Sequence, residues 1–187
     1  MTEHYHHADL PRRLRTVTRA VVEEEGSAAV TIARIARECG VSVAAPYRHF
    51  AGKEALLGAV AADGFDALRE ALTAADGATP TERLVAAGVA YVDFATTHPH
   101  LFELMFRAER RERQSAAGPP ALEALATLVN DVPLRVPTDV AVRTTWGLAH
   151  GLAMLRIGGM LTFTREDTAE RLRAELTALV EGIAPDR

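Results

Sequence analysis

Apolar positions recur with a helical period along the whole chain. Leu10, Leu14, Val17 and Val21 fall at i, i+4, i+7 and i+11, behind Asp9 as a candidate N-cap and with Pro11 in the first turn. Gly26 stands where a helix commonly stops. Just before it, Glu23, Glu24 and Glu25 occupy the end of a helix that disfavours anions, a misfit the pattern leaves unexplained. A short helix from Thr31, as its cap, to about Cys39 turns Ile32, Ile35 and Ala36 inward. Gly40 supplies a turn, and Ser42 caps a second short helix running to about Phe50. Beyond Gly52, a longer helix from Lys53 to about Ala75 carries Leu57, Val60, Leu68 and Leu72 as its apolar side.

Asp76-Gly77-Ala78 breaks the pattern, and Thr79-Pro80-Thr81-Glu82 reads as a capping box that starts a helix to about Thr97. Pro99 opens another helix to about Arg113. Residues 114–119 form a loop, and 120–131 a short helix. Pro133 and Pro137 bracket a connector. Thr138 to about Leu161 is a long helix, and Thr164 with Asp167 caps the last one, which ends before Pro185. These segments predict an all-α chain of about nine helices. Its expected layout is a three-helix head over residues 1–55 and a helical domain over 56–187.

Composition supports this pattern. Of 187 residues, 48% are apolar and 5% aromatic, so bulk comes mostly from strong helix formers. A single cysteine, Cys39, excludes a disulfide scaffold and a Cys-based zinc site, and reads as a small core residue. No apolar secretory segment follows Met1, and the longest uncharged helical stretch, Thr144–Leu155, is too short to span a bilayer. The expected location is the cytoplasm, without membrane contact. Net charge is −4, which for the whole chain argues against a nucleic-acid partner. The charge is uneven, however: residues 1–55 hold eight Lys/Arg against seven Asp/Glu, and the remainder 13 against 18. Lys53 is the only lysine.

Two short helices joined by Gly40-Val41-Ser42 make a helix-turn-helix. On the second helix, Pro46 and Phe50 are one turn apart and face inward, which projects Val43, Ala44, Tyr47 and Arg48 outward. Such a face suits a major groove: small apolar groups for thymine methyls, Arg for guanine or phosphate, Tyr for the backbone. The alternative is an ordinary helical corner in a protein-interaction module without specific DNA binding.

The stretch from Thr31-Ile32-Ala33 through Gly40-Val41-Ser42 and Tyr47-Arg48-His49-Phe50 to Lys53-Glu54-Ala55-Leu56-Leu57 closely resembles the TetR family of transcriptional regulators. The likeness covers about residues 9–57. It implies that the helix from Ser42 to Phe50 reads the major groove and that Thr31, Tyr47, His49 and Lys53 contact phosphates. Arg34 and Ala45 complete the expected DNA-facing set. Ala44 departs from a frequent family glycine, so an operator sequence does not carry over. Further on, Trp146-Gly147-Leu148-Ala149-His150-Gly151 is similar to the WHG-type ligand domain of one branch, as is His98-Pro99-His100-Leu101-Phe102.

The helix from Thr138 has two opposed apolar stripes, Leu148, Leu152, Leu155 and Gly159 against Trp146, His150, Ala153 and Ile157. One chain readily covers only one of them. The last helix repeats the pattern with Leu172, Leu176, Leu179 and Ile183, so a homodimeric four-helix interface is expected. On the other stripe, Trp146 and His150, with Met154 at the margin, read as one wall of a pocket for a small apolar effector. Phe102, Met105 and Phe106 would form the other wall. A filled core with His150 hydrogen-bonded internally is the competing reading. An effector seated there would tilt the helix from Lys53 and release a near-palindromic operator, so the expected function is a repressor. No nucleophile elbow, phosphate loop, dinucleotide glycine pattern or HExxH pair is present, so no enzyme activity and no cofactor are expected. The His4-Tyr5-His6-His7 cluster lacks a carboxylate partner and reads as a loose terminus, not a metal site.

Overall fold

The computed structural model describes residues 9–112, 120–161 and 168–183, with the side chains of 9–107, 121–161 and 168–183. Its described residues form eight α-helices and no strand. They are α1 (Leu10–Glu25), α2 (Ile32–Glu38), α3 (Lys53–Thr73), α4 (Pro80–Thr97), α5 (Pro99–Glu112), α6 (Pro120–Asn130), α7 (Thr138–Ile157) and α8 (Ala169–Ile183). Single 3₁₀ turns lie at Ser27–Ala29 and Pro46–Arg48. The all-α expectation holds.

Three local expectations need correction. The segment from Ser42 to Phe50 is a turn followed by the 3₁₀ turn Pro46–Arg48, not a continuous helix. Pro46 has no N–H to give the Ser42 carbonyl, which accepts from Ala45 N–H at 2.9 Å instead. Asp9 sits at the N-cap of α1 but its carboxylate caps nothing. Its backbone is helical, and Pro11 removes one of the amides a cap would reach. Finally, α7 stops at Ile157, where Gly159 at φ +65° lets Met160 N–H close back on the Leu155 carbonyl at 2.8 Å. The start of α4 follows the sequence closely. Thr79 Oγ1 accepts from Glu82 N–H at 3.1 Å, and Glu82 Oε2 accepts from Thr79 N–H at 3.2 Å. For α8, Thr168 Oγ1 accepts from Arg171 N–H at 3.1 Å. The expected cap at Thr164 and Asp167, the 114–119 loop and the His4–His7 cluster lie outside the described residues.

The chain divides into two compact units, Met1–Gly64 with His98–Ala116, and Phe65–Thr97 with Ala117–Arg187. By contact, residues 56–64 and α5 therefore group with the N-terminal head, whereas the sequence pattern alone suggests a division after residue 55.

In the first unit, α1 and α2 bury Leu14, Val22, Ile35 and Ala36 with Leu56 and Val60 of α3. α5 packs along α1. The approach of α5 to α3 is close: a Cβ on Gly64 would lie 2.8 Å from Met105 Sδ and 3.3 Å from Leu101 Cδ1. Gly64→Ala is therefore expected to displace the fully buried Met105 and to destabilise the protein by about 1–3 kcal/mol, read from denaturant unfolding. An unchanged midpoint would show that the notch has slack. In the second unit, α4 packs against α6, α7 and α8. Gly88 is the contact point with α8, where a Cβ would come within 3.0 Å of Leu176 Cδ1.

Candidate functional site

The helix-turn-helix is built from α2 and the turn that follows it. Thr31 Oγ1 accepts from Arg34 N–H at 3.2 Å and caps α2. Gly40, at φ +65°, ends it, and Val41 N–H reaches back to the Ala36 carbonyl at 2.9 Å. Pro46 is buried and Phe50 half-buried, so Val43, Ala44, Tyr47, Arg48 and His49 all face solvent. Val43 and Tyr47 are 52% and 56% exposed, so two large apolar side chains of this short segment stand in solvent. Ser42 is exposed and Ala45 half-buried on the same segment. Lys53, at the start of α3, lies 3.4 Å from the Ala28 carbonyl.

Ion pairing sorts the cations of the first unit into two sets. Arg34 is held within the protein: its guanidinium donates to Glu25 at 2.9 and 2.5 Å and to Glu38 at 2.7 Å. That hydrogen bond from Arg34 keeps the Glu25 carboxyl below its ordinary pKa. Arg34, expected at the DNA surface, is committed instead to tying α1 to α2. Arg19 pairs with Glu23 at 3.0 Å and Arg15 with Asp63 at 3.3 Å. Glu23 also meets His98 Nδ1 at 3.1 Å, and its carbonyl lies 3.1 Å from His100 Nδ1. Arg107 donates to Ser27 Oγ. The acidic end of α1 is thus a junction for α2 and α5, and the misfit with the helix dipole is offset by these partners. Among the described residues, Arg12, Arg13, Arg37 and Arg48 have no carboxylate partner. A groove of about 290 Å³ runs beside the turn, with Asp9 and Arg13 of α1 on one side and Ser42 and Arg48 on the other. Cys39 is buried, which raises its thiol pKa and keeps it protonated and unreactive.

The residues expected to line an effector pocket fall in different units. Phe102 and Met105 are fully buried core residues of the first unit, with Phe106 half-buried at 4.8 Å from the Phe102 ring. Trp146 and His150 are half-buried in the second unit, and Met154 is exposed. There the indole and imidazole meet Tyr91 of α4, a partner that the sequence pattern marks only as core. Trp146 Nε1–H donates to Tyr91 Oη at 3.2 Å, and Tyr91 Oη lies 2.9 Å from His150 Nδ1. Trp146 can only donate, so Tyr91 accepts from it and can donate onward to Nδ1 of a neutral imidazole. Burial lowers the pKa of His150 and favours that neutral form. A buried tyrosine needs a partner for its hydroxyl, and that requirement is the clue the sequence offers. Thr145 Oγ1, also buried, has no hydrogen-bond partner among the described residues.

The stripe expected to meet a second copy is split. Leu172 and Leu176 are fully buried within one chain, and Leu152 and Ile183 nearly so. They pack inward because the second unit needs both last helices to cover α4. Leu148 and Leu179 are half-buried, and Leu155 is 42% exposed. The outward face of α7 carries Val140, Met154 and Leu155 around Gly147 and Gly151, where an added Cβ would meet nothing.

Residues 14–60 match the family model described as bacterial regulatory proteins, tetR family, and residues 84–179 match tetracyclin repressor-like, C-terminal domain. No curated protein matches the chain. Among solved structures, a protein with unknown function from Rhodococcus sp. RHA1 is 29% identical with a TM-score of 0.79, over 98% of this chain and 100% of that one. The transcriptional regulator SCO7222, a TetR from Streptomyces coelicolor, is 20% identical with a TM-score of 0.73, over 92% and 96% of the two chains. The ketosteroid transcriptional regulator KstR2 of Mycobacterium tuberculosis is 20% identical with a TM-score of 0.57, over 95% and 96%. The last two show the shared fold. One model lies over the helix-turn-helix and the other spans more than half of the sequence, so the chain belongs to the TetR family of bacterial regulatory proteins.

Proposed function

We propose that the chain is a cytoplasmic, non-enzymatic repressor of the WHG-type branch that binds a near-palindromic operator as a homodimer and leaves it when a small apolar molecule binds. Regulators of this family bind DNA and act as dimers with small-molecule ligands. Among the described residues, no helix is long and apolar enough to cross a membrane.

The observation that carries the reading is the exposed set Val43, Ala44, Tyr47, Arg48 and His49 on a turn held by buried Pro46. Val43 and Ala44 fit thymine methyls, Arg48 a guanine edge or phosphate, and Tyr47 and His49 the backbone. Thr31 and Lys53 flank the segment as further phosphate contacts. Selection from a random duplex pool should recover a palindromic site. Tyr47→Ala should weaken its binding by about 1–3 kcal/mol, measured by fluorescence anisotropy. Failure to recover any site would overturn the reading.

The second copy docks on the outward face of α7, with Val140, Met154 and Leu155 closing over the two glycines. Two heads then sit about one DNA turn apart, roughly 34 Å. The effector binds in the second unit beside the Trp146–Tyr91–His150 chain, which offers aromatic surface and an imidazole. Bound there, it acts through α3, and only if it prefers the conformation that lacks DNA affinity. Trp146, the only tryptophan, makes the test direct: apolar compounds that change its emission should also release the operator. Emission changes with operator affinity intact would sink the coupling.

A further inference from the structure

Two groups of cations coexist on the first unit, and only one is used internally. Arg15, Arg19 and Arg34 are consumed by carboxylates. Arg13 and Arg48 have no such partner among the described residues, yet they face each other across the groove between α1 and the reading turn. Ser42 adds a hydroxyl on the same wall as Arg48, and Leu10 and Val41 form part of an apolar floor. Ser42 and Arg48 thus line the groove, while Val43, Ala44 and Tyr47 on the same short segment lie in solvent. The groove therefore opens next to the surface that would meet the bases. One acidic group opposes this arrangement, the Asp9 carboxylate at the α1 end of the groove.

We infer that this groove seats one backbone phosphate of the bound duplex, with its deoxyribose over the apolar floor. Arg13 of α1 and Arg48 are the cations, and Ser42 donates a hydrogen bond. The inference rests on the DNA-binding reading above and adds α1, outside the two-helix motif, to the interface. Two guanidinium groups on either side of a phosphodiester can each offer paired N–H donors, which a lone lysine could not match. A bound phosphate would also sit near Asp9, whose charge works against it. The site therefore makes a two-signed prediction: removing the cation weakens DNA binding, and removing the carboxylate strengthens it.

The test uses the full chain and two labelled duplexes, one recovered by selection from a random pool and one of scrambled sequence. Affinity is followed against salt. Each phosphate that the protein no longer neutralises lowers the slope of log K against log salt by about 0.9, so removing both guanidinium groups (Arg13→Ala with Arg48→Ala) should reduce it by about 1.8 in a dimer with two heads, and Arg13→Ala alone by a part of that. The loss should appear on both duplexes, because a phosphate carries no sequence. Arg13→Lys should restore most of the slope. Asp9→Asn should raise affinity at low salt, with the gain fading as salt rises. Thermal melts of each variant separate a folding defect from a missing phosphate interaction, and Asp9→Asn, which removes only charge, keeps the test alive if Arg13→Ala folds poorly. Variants of both residues with wild-type slope and affinity, while Tyr47→Ala still weakens binding, would overturn the groove and leave the DNA-binding reading standing. A wild-type chain with no salt-dependent binding to either duplex would overturn that reading, and the groove with it.

Discussion

Leu176→Ala is expected to lower the unfolding free energy by about 3–5 kcal/mol, near the top of the range for a buried leucine. The side chain is 1% exposed, and it fills the notch that Gly88 leaves on α4. Glycine has no side chain that could swing into the cavity, so collapse offsets little of the loss. Denaturant unfolding followed by circular dichroism measures it, and a cost below about 1 kcal/mol would mean that α8 is loosely seated. Leu155→Glu provides the contrast. That residue is exposed in the single chain, so the variant should keep the wild-type helical content yet sediment as a monomer at micromolar concentration. A stable Leu155→Glu dimer would place the second copy elsewhere. A charge at Leu152, by comparison, would test folding and dimerisation together, because that side chain is buried within its own subunit.

Tyr91→Phe should cost about 2–4 kcal/mol, since it leaves the Trp146 N–H and the His150 Nδ1 without the hydroxyl that joins them. Its hydrophobic volume is nearly unchanged, so the loss reports hydrogen bonding rather than packing. The same chain gives a pH signature. Burial depresses the pKa of His150 from its ordinary value of 6.5, so the folded protein takes up a proton there less readily than the unfolded chain. The stabilisation is fully present above pH 6.5 and is lost as pH falls from there through the lower folded value. Melting temperature should therefore drop as pH falls below 6.5, and His150→Gln should flatten that part of the curve. A His150→Gln profile parallel to wild type would assign the acid sensitivity to other groups.

Much of this architecture is written in local patterns that a linear reading captures. The capping box at Thr79 and Glu82, the stop at Gly40 and the outward set of the reading turn all depend on neighbours within a few residues. The misses share a different origin. Pro46 costs one hydrogen bond wherever it stands, but whether the segment continues as α or tightens to 3₁₀ depends on competing carbonyls. Arg34 reads as available in the sequence because its acidic partner Glu25 is nine residues away on another helix. Tyr91 reads as core because its partners are 55 and 59 residues distant. The periodicity of α7 and α8 identifies apolar stripes correctly, yet it does not say which stripe the chain itself covers. That choice depends on α4, whose Gly88 draws Leu176 inward.

Lys53 carries the only side-chain amine in the sequence, and it opens α3 at the edge of the reading head. Reagents that acylate amines consequently have one side-chain address on this protein, beside the backbone α-amine. Their rate at Lys53 becomes a footprint of that edge, readable by peptide mass mapping without any engineered label. An enzyme that acetylates lysine side chains would likewise act on this chain only there, removing a positive charge from the edge of the helix-turn-helix.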